Sequence, residues 1–152
     1  MINALTMGMD KKTILVVEDH RDCRELLAIV LVRSGYLVVK AGTALEAIDQ
    51  ARATNPDLII MDFGLPGMTG DQVILRLRGD PSTEKIPVIF TTGYMDANVA
   101  ERAKAVGAAQ IMIKPFDLDK LMDAVERYLS SEPDRDAVSP EPSIVVHRLT
   151  AH

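Results

Sequence analysis

Polar side chains capable of chemistry stand where short apolar runs end: Glu18 and Asp19 after Thr13 to Val17, Asp62 after Leu58 to Met61, Thr92 after Val88 to Thr91, and Lys114 after Gln110 to Ile113. An uninterrupted apolar run of this length is the pattern of a strand buried on both faces. If the run ends meet on one rim, three carboxylates crowd together in a partly buried place and repel by roughly several kcal/mol, so a cation must join them. Oxygen donors from separate strands suit a hard divalent ion, Mg²⁺ or in its place Mn²⁺, with coordination positions left for water and an incoming phosphoryl oxygen. There Asp62 has the chemistry of a carboxylate nucleophile toward phosphorus, and its product is an acyl phosphate. Thr92 can donate a hydroxyl to one phosphoryl oxygen and Lys114 an ammonium to another.

The elements that must position these groups alternate along the chain. After the first strand, a helical stretch from Asp22 to Ser34 carries Cys23, Leu26, Leu27, Val30 and Leu31 at helical spacing and stops at Gly35; Cys23 reads as a small core residue. A second strand covers Tyr36 to Ala41. Thr43 and Glu46 have capping-box spacing for a helix that ends before Asn55 and Pro56. The Leu58 to Met61 strand leads through the loop Phe63-Gly64-Leu65-Pro66-Gly67-Met68-Thr69-Gly70 into a helix from Asp71 to Arg78. Pro87 introduces the fourth strand, Ala97 to Val106 is helical, and Gln110 to Ile113 is the fifth strand. Asp117 caps a last helix with Leu118, Leu121, Met122, Val125 and Leu129 on one face.

Five strands alternating with five helices imply an α/β domain: a doubly wound parallel sheet with helices on both faces, since each crossover is right-handed. Ligands of such sheets bind outside the carboxyl ends of the strands, where the polar residues stand. The chain divides into residues 1–11, a flexible leading segment; 12–130, the domain; and 131–152, a disordered tail rich in Pro, Ser and charge with one apolar patch at Ile144 to Val146.

The totals narrow the field. The 152 residues fit one domain, and a formal charge of −5 without a Lys/Arg cluster argues against nucleic-acid binding. One cysteine, Cys23, excludes an internal disulfide and a cysteine zinc cage. No apolar run reaches the roughly 20 residues of a membrane span, and the first residues lack the form of a secretory signal, so the expected location is the cytoplasm.

Taken singly, each group has an ordinary reading. Glu18 and Asp19 could be a solvated pair, Thr92 a strand-end hydroxyl, and Lys114 a surface charge; their convergence promotes them. Thr91 rivals Thr92, with Gly93 and strand alternation favouring Thr92. His20 is a rim residue rather than a ligand, because carboxylate-rich Mg²⁺ sites seldom recruit imidazole. Asp62-Phe63-Gly64 spells a kinase metal motif, but the glycine-rich loop and catalytic-loop motif are missing. A phosphatase of the haloacid dehalogenase type would want an acid where Gly64 stands.

In this order and spacing the motifs resemble the receiver domains of bacterial two-component response regulators. The resemblance spans about Lys12 to Leu129 and is carried by Glu18-Asp19, Ile59-Ile60-Met61-Asp62 with Leu65-Pro66-Gly67-Met68-Thr69-Gly70, Pro87-Val88-Ile89-Phe90-Thr91-Thr92-Gly93, and Lys114-Pro115-Phe116. It implies a flavodoxin-like sheet of strand order 2-1-3-4-5, with Asp62 as phosphoacceptor. It further implies Mg²⁺ on Asp19, Asp62 and the Gly64 carbonyl, with Glu18 acting through metal-bound water and Thr92 and Lys114 contacting the phosphoryl group. The bond before Pro115 is expected to be cis, aiming Lys114 into the site. The implied phosphodonor is a sensor histidine kinase or a histidine phosphotransfer protein, and the output is a downstream protein partner, with the chain a monomer or a phosphorylation-dependent dimer. Such a domain catalyses only its own phosphorylation and dephosphorylation. A phosphorelay intermediate and a docking module that works without phosphorylation are the rival functions. The family often has Tyr or Phe where this chain has Ile111, and it varies where this chain has Gly64.

Overall fold

In the computed structural model, residues 11–130 and 143–145 are described. The elements are β1 (Thr13–Val17), α1 (Arg21–Arg33), β2 (Leu37–Ala41), α2 (Ala44–Thr54), β3 (Leu58–Asp62), α3 (Gly70–Arg78), β4 (Val88–Thr92), α4 (Ala97–Ala105), β5 (Gln110–Ile113), α5 (Leu118–Ser130) and β6 (Ser143–Val145). All strand pairs are parallel, and the sheet order is β2-β1-β3-β4-β5-β6. The first five strands therefore have the expected 2-1-3-4-5 order. A sixth, in the apolar patch of the tail, pairs Ser143 to Gln110, Ile144 to Ile111 and Val145 to Met112. The remaining expectations about residues 1–10, 131–142 and 146–152 lie outside the described residues.

The continuous apolar runs have their reason in the two cores. Alternate residues of the central strands face opposite sides, and both sides are covered. One core packs Leu15, Ile59, Met61 and Phe90 against α2, α3 and α4; the other packs Ile14, Val16, Ile60 and Ile89 against α1 and α5. Fully burying each such side chain contributes about 1.5 to 3 kcal/mol, so the sheet's centre is its most strongly held part. The strand ends, where the polar residues stand, are tied to that centre by one residue of chain.

Local signals set the helix ends. Thr43 accepts a hydrogen bond from the Glu46 backbone N–H at 3.1 Å, while the Glu46 carboxylate accepts from Gly42 at 2.7 Å, one residue before the position a strict capping box would use. Asn55 ends α2 in the left-handed region, at φ 47°. Cys23 corrects an expectation: it is exposed, not core. The inward stripe of α1 is Leu27, Ala28 and Leu31, while Leu26, Ile29 and Val32 are more than half exposed. The apolar face is wider than the core needs, and Cys23 and Leu26 fall on its outer side.

Candidate functional site

Strand β1 ends at Val17, and the next two residues divide in environment: Glu18 is 3% exposed, while Asp19 is exposed. Asp62, the last residue of β3, is half-buried. Parallel pairing sets Val17 beside Met61, so the acids that follow each strand come to the same rim. One carboxylate oxygen from each of Glu18, Asp19 and Asp62 lies within 4.8 Å of the other two. Lys114, just past β5, reaches across to the same place, donating to Glu18 Oε1 at 2.7 Å and to Asp62 Oδ2 at 2.9 Å. The Lys114–Pro115 bond is cis.

Lys114 is the counter-charge of this cluster. Burial works against its ammonium, but the hydrogen bonds to Glu18 and Asp62 and the field of both carboxylates outweigh that, holding its pKa above the usual 10.5. Buried carboxylates without such a partner would be strongly unfavourable. The backbone supplies further restraint. The Gly64 N–H donates to Asp62 Oδ1 at 2.8 Å, and the His20 N–H donates to Glu18 Oε2 at 3.0 Å. Arg24, from the first turn of α1, donates to the Glu18 carbonyl at 2.9 Å.

The same geometry is a test for a divalent ion, and the donors fit. Three carboxylates converge, all donors are oxygen, and the one ammonium bound to two of them offsets only part of their charge.

Thr92 ends the strand between those that carry Asp62 and Lys114, but its hydroxyl is engaged elsewhere. Buried at the end of β4, it donates to the Tyr94 carbonyl at 2.8 Å and accepts from the Tyr94 N–H at 3.2 Å. The register pairs Asp62 with Thr91 and Thr92 with Ile113, so strand alternation does not by itself single out Thr92. Ile111, where an aromatic side chain is frequent among receivers, is fully buried in the core. His20 is exposed, as a rim residue should be.

The sequence reading missed two arginines. Arg24 braces the Glu18 backbone, and Arg102 grips Asp71 and Thr69 beyond the loop that follows Asp62. Arg24 could have been suspected from its place one turn into the helix after the acids. Arg102 gives no such signal, because its partners lie 31 and 33 residues away.

A doubly wound sheet with an acid triad and a lysine at the carboxyl ends of β1, β3 and β5 is the architecture of a receiver-type signalling domain. The profile of the response regulator receiver domain matches residues 14–126, and the chain belongs to that family, the receivers of two-component and phosphorelay signalling. Among curated relatives it is 36% identical over 121 residues to sporulation initiation phosphotransferase F of Bacillus subtilis, covering 80% of this chain and 96% of that protein. It is 32% identical over 118 residues to the polar-differentiation response regulator DivK of Brucella ovis, covering 78% of this chain and 96% of that one. The chemotaxis protein CheY4 of Vibrio cholerae superposes with a TM-score of 0.75 at 28% identity, covering 78% of this chain and 99% of CheY4. No helix among the described residues is long and apolar enough to cross a membrane.

Proposed function

We propose that the chain takes a phosphoryl group from a phosphohistidine of a sensor kinase or phosphotransfer protein onto Asp62, with Mg²⁺ bound, and signals through altered binding to a downstream protein. The observation that carries this reading is the meeting of Glu18, Asp19 and Asp62 oxygens within 4.8 Å, bridged by Lys114. In the transfer an Asp62 carboxylate oxygen forms the new O–P bond as the donor's N–P bond breaks, and the electron pair of that bond stays with the imidazole nitrogen. Asp19, Asp62 and the Gly64 carbonyl would hold Mg²⁺, with Glu18 acting through a bound water; the ion supplies neutralisation of charge on the phosphoryl oxygens.

The protein's own residues do the rest. The Gly64 N–H bond holds the Asp62 carboxylate in one orientation, which leaves fewer rotations to be lost on reaction. Lys114 remains an ammonium at physiological pH and turns from the Asp62 carboxylate to the phosphoryl oxygens once the acyl phosphate has formed. Thr92 must withdraw the bond it donates to the Tyr94 carbonyl in order to donate to a phosphoryl oxygen, which loosens one tie to the segment leading into α4. A phosphoryl group of about −1.5 to −2 charges, standing where a carboxylate of about −1 stood, thus reaches a surface element through one hydroxyl. The exposed apolar residues Leu26, Ile29 and Val32 on α1, the helix that begins just after Asp19 and His20, support docking of the phosphodonor protein beside Asp62.

The name of the Bacillus relative, a phosphotransferase, favours a second reading in which the phosphoryl group passes onward to another histidine. Incubation with Mg²⁺ and acetyl phosphate followed by intact-mass measurement tests the common core of both. Wild type should gain one phosphoryl group and Asp62→Asn none; no gain on wild type would leave a docking module that works without phosphorylation.

A further inference from the structure

The loop between β3 and α3 is closed by a side chain from another helix. Arg102, in the last turn of α4, donates from Nε to Asp71 Oδ2 at 3.0 Å and from Nη2 to Asp71 Oδ1 at 2.9 Å. The same Nη2 donates to Thr69 Oγ1 at 3.0 Å, and the guanidinium carbon lies 5.1 Å from the centre of the Phe63 ring. A planar guanidinium can fork onto a carboxylate and cover an aromatic face at once, which an ammonium cannot. The Asp71 side chain is 13% exposed, so the fork is better shielded from water than a surface pair.

Phe63 on one side and Thr69 and Asp71 on the other are the two ends of the loop that contains Gly64. These ends also touch directly: the Gly70 N–H donates to the Phe63 carbonyl at 2.8 Å. Gly64 in turn donates to the Asp62 carboxylate at 2.8 Å. One guanidinium therefore spans both ends of the segment that orients Asp62, and it comes from the helix that follows Thr92.

We propose that Arg102 is a positioning residue for phosphoryl transfer: it holds the loop behind Asp62 shut, so that the Gly64 backbone stays against the acceptor carboxylate. The proposal rests on the reading of Asp62 as acceptor and metal ligand. Without the clamp, the loop opens at the Phe63 and Thr69 ends, Gly64 moves away, and the Asp62 carboxylate rotates. Metal affinity and the limiting rate of phosphorylation fall together, although Arg102 touches neither the metal nor the phosphodonor.

The test uses the full chain with Arg102→Met, Arg102→Lys, Asp71→Asn and the double variant Arg102→Met/Asp71→Asn, each checked for folding by far-ultraviolet circular dichroism. Two quantities are measured: the dissociation constant for Mn²⁺ alone, from the electron paramagnetic resonance signal of the free ion, and the limiting rate of labelling by acetyl phosphate at saturating Mg²⁺. Arg102→Met should weaken Mn²⁺ binding and slow labelling by about tenfold, the range seen when a partner of a metal ligand is lost. Arg102→Lys should not restore either, and the double variant should be no worse than Arg102→Met, because both changes break one contact. Asp71→Asn keeps the shape of the site and carries the test should Arg102→Met fail to fold. Wild-type values in Arg102→Met and Asp71→Asn, full rescue by lysine, or losses that multiply in the double variant would each overturn the clamp. If wild type itself takes no phosphoryl group, the acceptor reading falls, while the Mn²⁺ series still decides whether Arg102 positions the carboxylates.

Discussion

Replacing Lys114 by methionine removes the one ammonium that bridges Glu18 and Asp62 while keeping a side chain of similar length. Two unit charges 4.8 Å apart repel by about 3.5 kcal/mol at an effective dielectric constant of about 20, so three carboxylates packed at least that closely need their cation. Deleting one partner of a fully buried pair costs about 3 to 5 kcal/mol; the Lys114 side chain is 29% exposed and that of Asp62 12%, which lowers the expected loss to about 1.5 to 3 kcal/mol. In urea unfolding without divalent metal, a loss of about 2 kcal/mol moves the midpoint down by about 1 M at an ordinary slope. The metal then supplies the sharper test. If Mg²⁺ binds these carboxylates, it must contend with the ammonium for them in wild type but not in Lys114→Met. A ligand at about 100 times its dissociation constant adds about 2.7 kcal/mol, so saturating Mg²⁺ should stabilise the variant more than wild type and narrow the gap between them. The pH dependence has a definite sign. Because Lys114 holds its proton more tightly folded than unfolded, the advantage of wild type over Lys114→Met is complete below the unfolded value of 10.5 and disappears as pH rises through the higher folded value. An equal gap with and without Mg²⁺ would refute the claim that lysine and metal share one set of carboxylates.

Gly70 sits so close to β3 that a Cβ there would lie 2.9 Å from the Asp62 carbonyl oxygen and 2.9 Å from the Phe90 ring, so Gly70→Ala should destabilise by about 1 to 3 kcal/mol in urea unfolding and slow acetyl phosphate labelling as well. Arg78 donates to the backbone carbonyls of Val106, Glu84 and Ile86, and burial pushes its pKa down from the usual range; Arg78→Leu should cost about 2 to 4 kcal/mol by calorimetry or denaturant, from carbonyls left without donors, with no change in metal affinity. Cutting the chain after Ser130 removes β6 and leaves β5 as an open edge, so the β5 amides that pair with residues 143–145 should exchange their hydrogens faster while those of β1 and β3 keep their protection.

Much of this protein was legible along the chain because the signals that form it are short. Apolar runs four or five residues long, bounded by turn residues, read as covered strands, Thr43 and Glu46 mark a helix start within three residues, and the polar groups at the strand ends needed only the doubly wound rule to be brought to one rim. Glu18, Asp19, Asp62 and Lys114 meet as that rule requires, with Lys114 bonding to Asp62 across 52 residues and to Glu18 across 96. Other features depended on distances that no local pattern encodes. Which of two neighbouring acids is buried, which partner takes the Thr92 hydroxyl, how far the apolar face of α1 extends beyond the core to leave Cys23 outside, and where Arg102 lands were all decided by packing. Helical periodicity gives the direction of a side chain from its own axis, but only the neighbouring element decides whether that direction is filled by protein or by water. The sheet alignment of residues 143–145 has the same origin: an apolar triplet becomes a strand when an open edge lies within reach, and the edge belongs to a part of the chain 33 residues earlier, as Gln110 and Ser143 are paired.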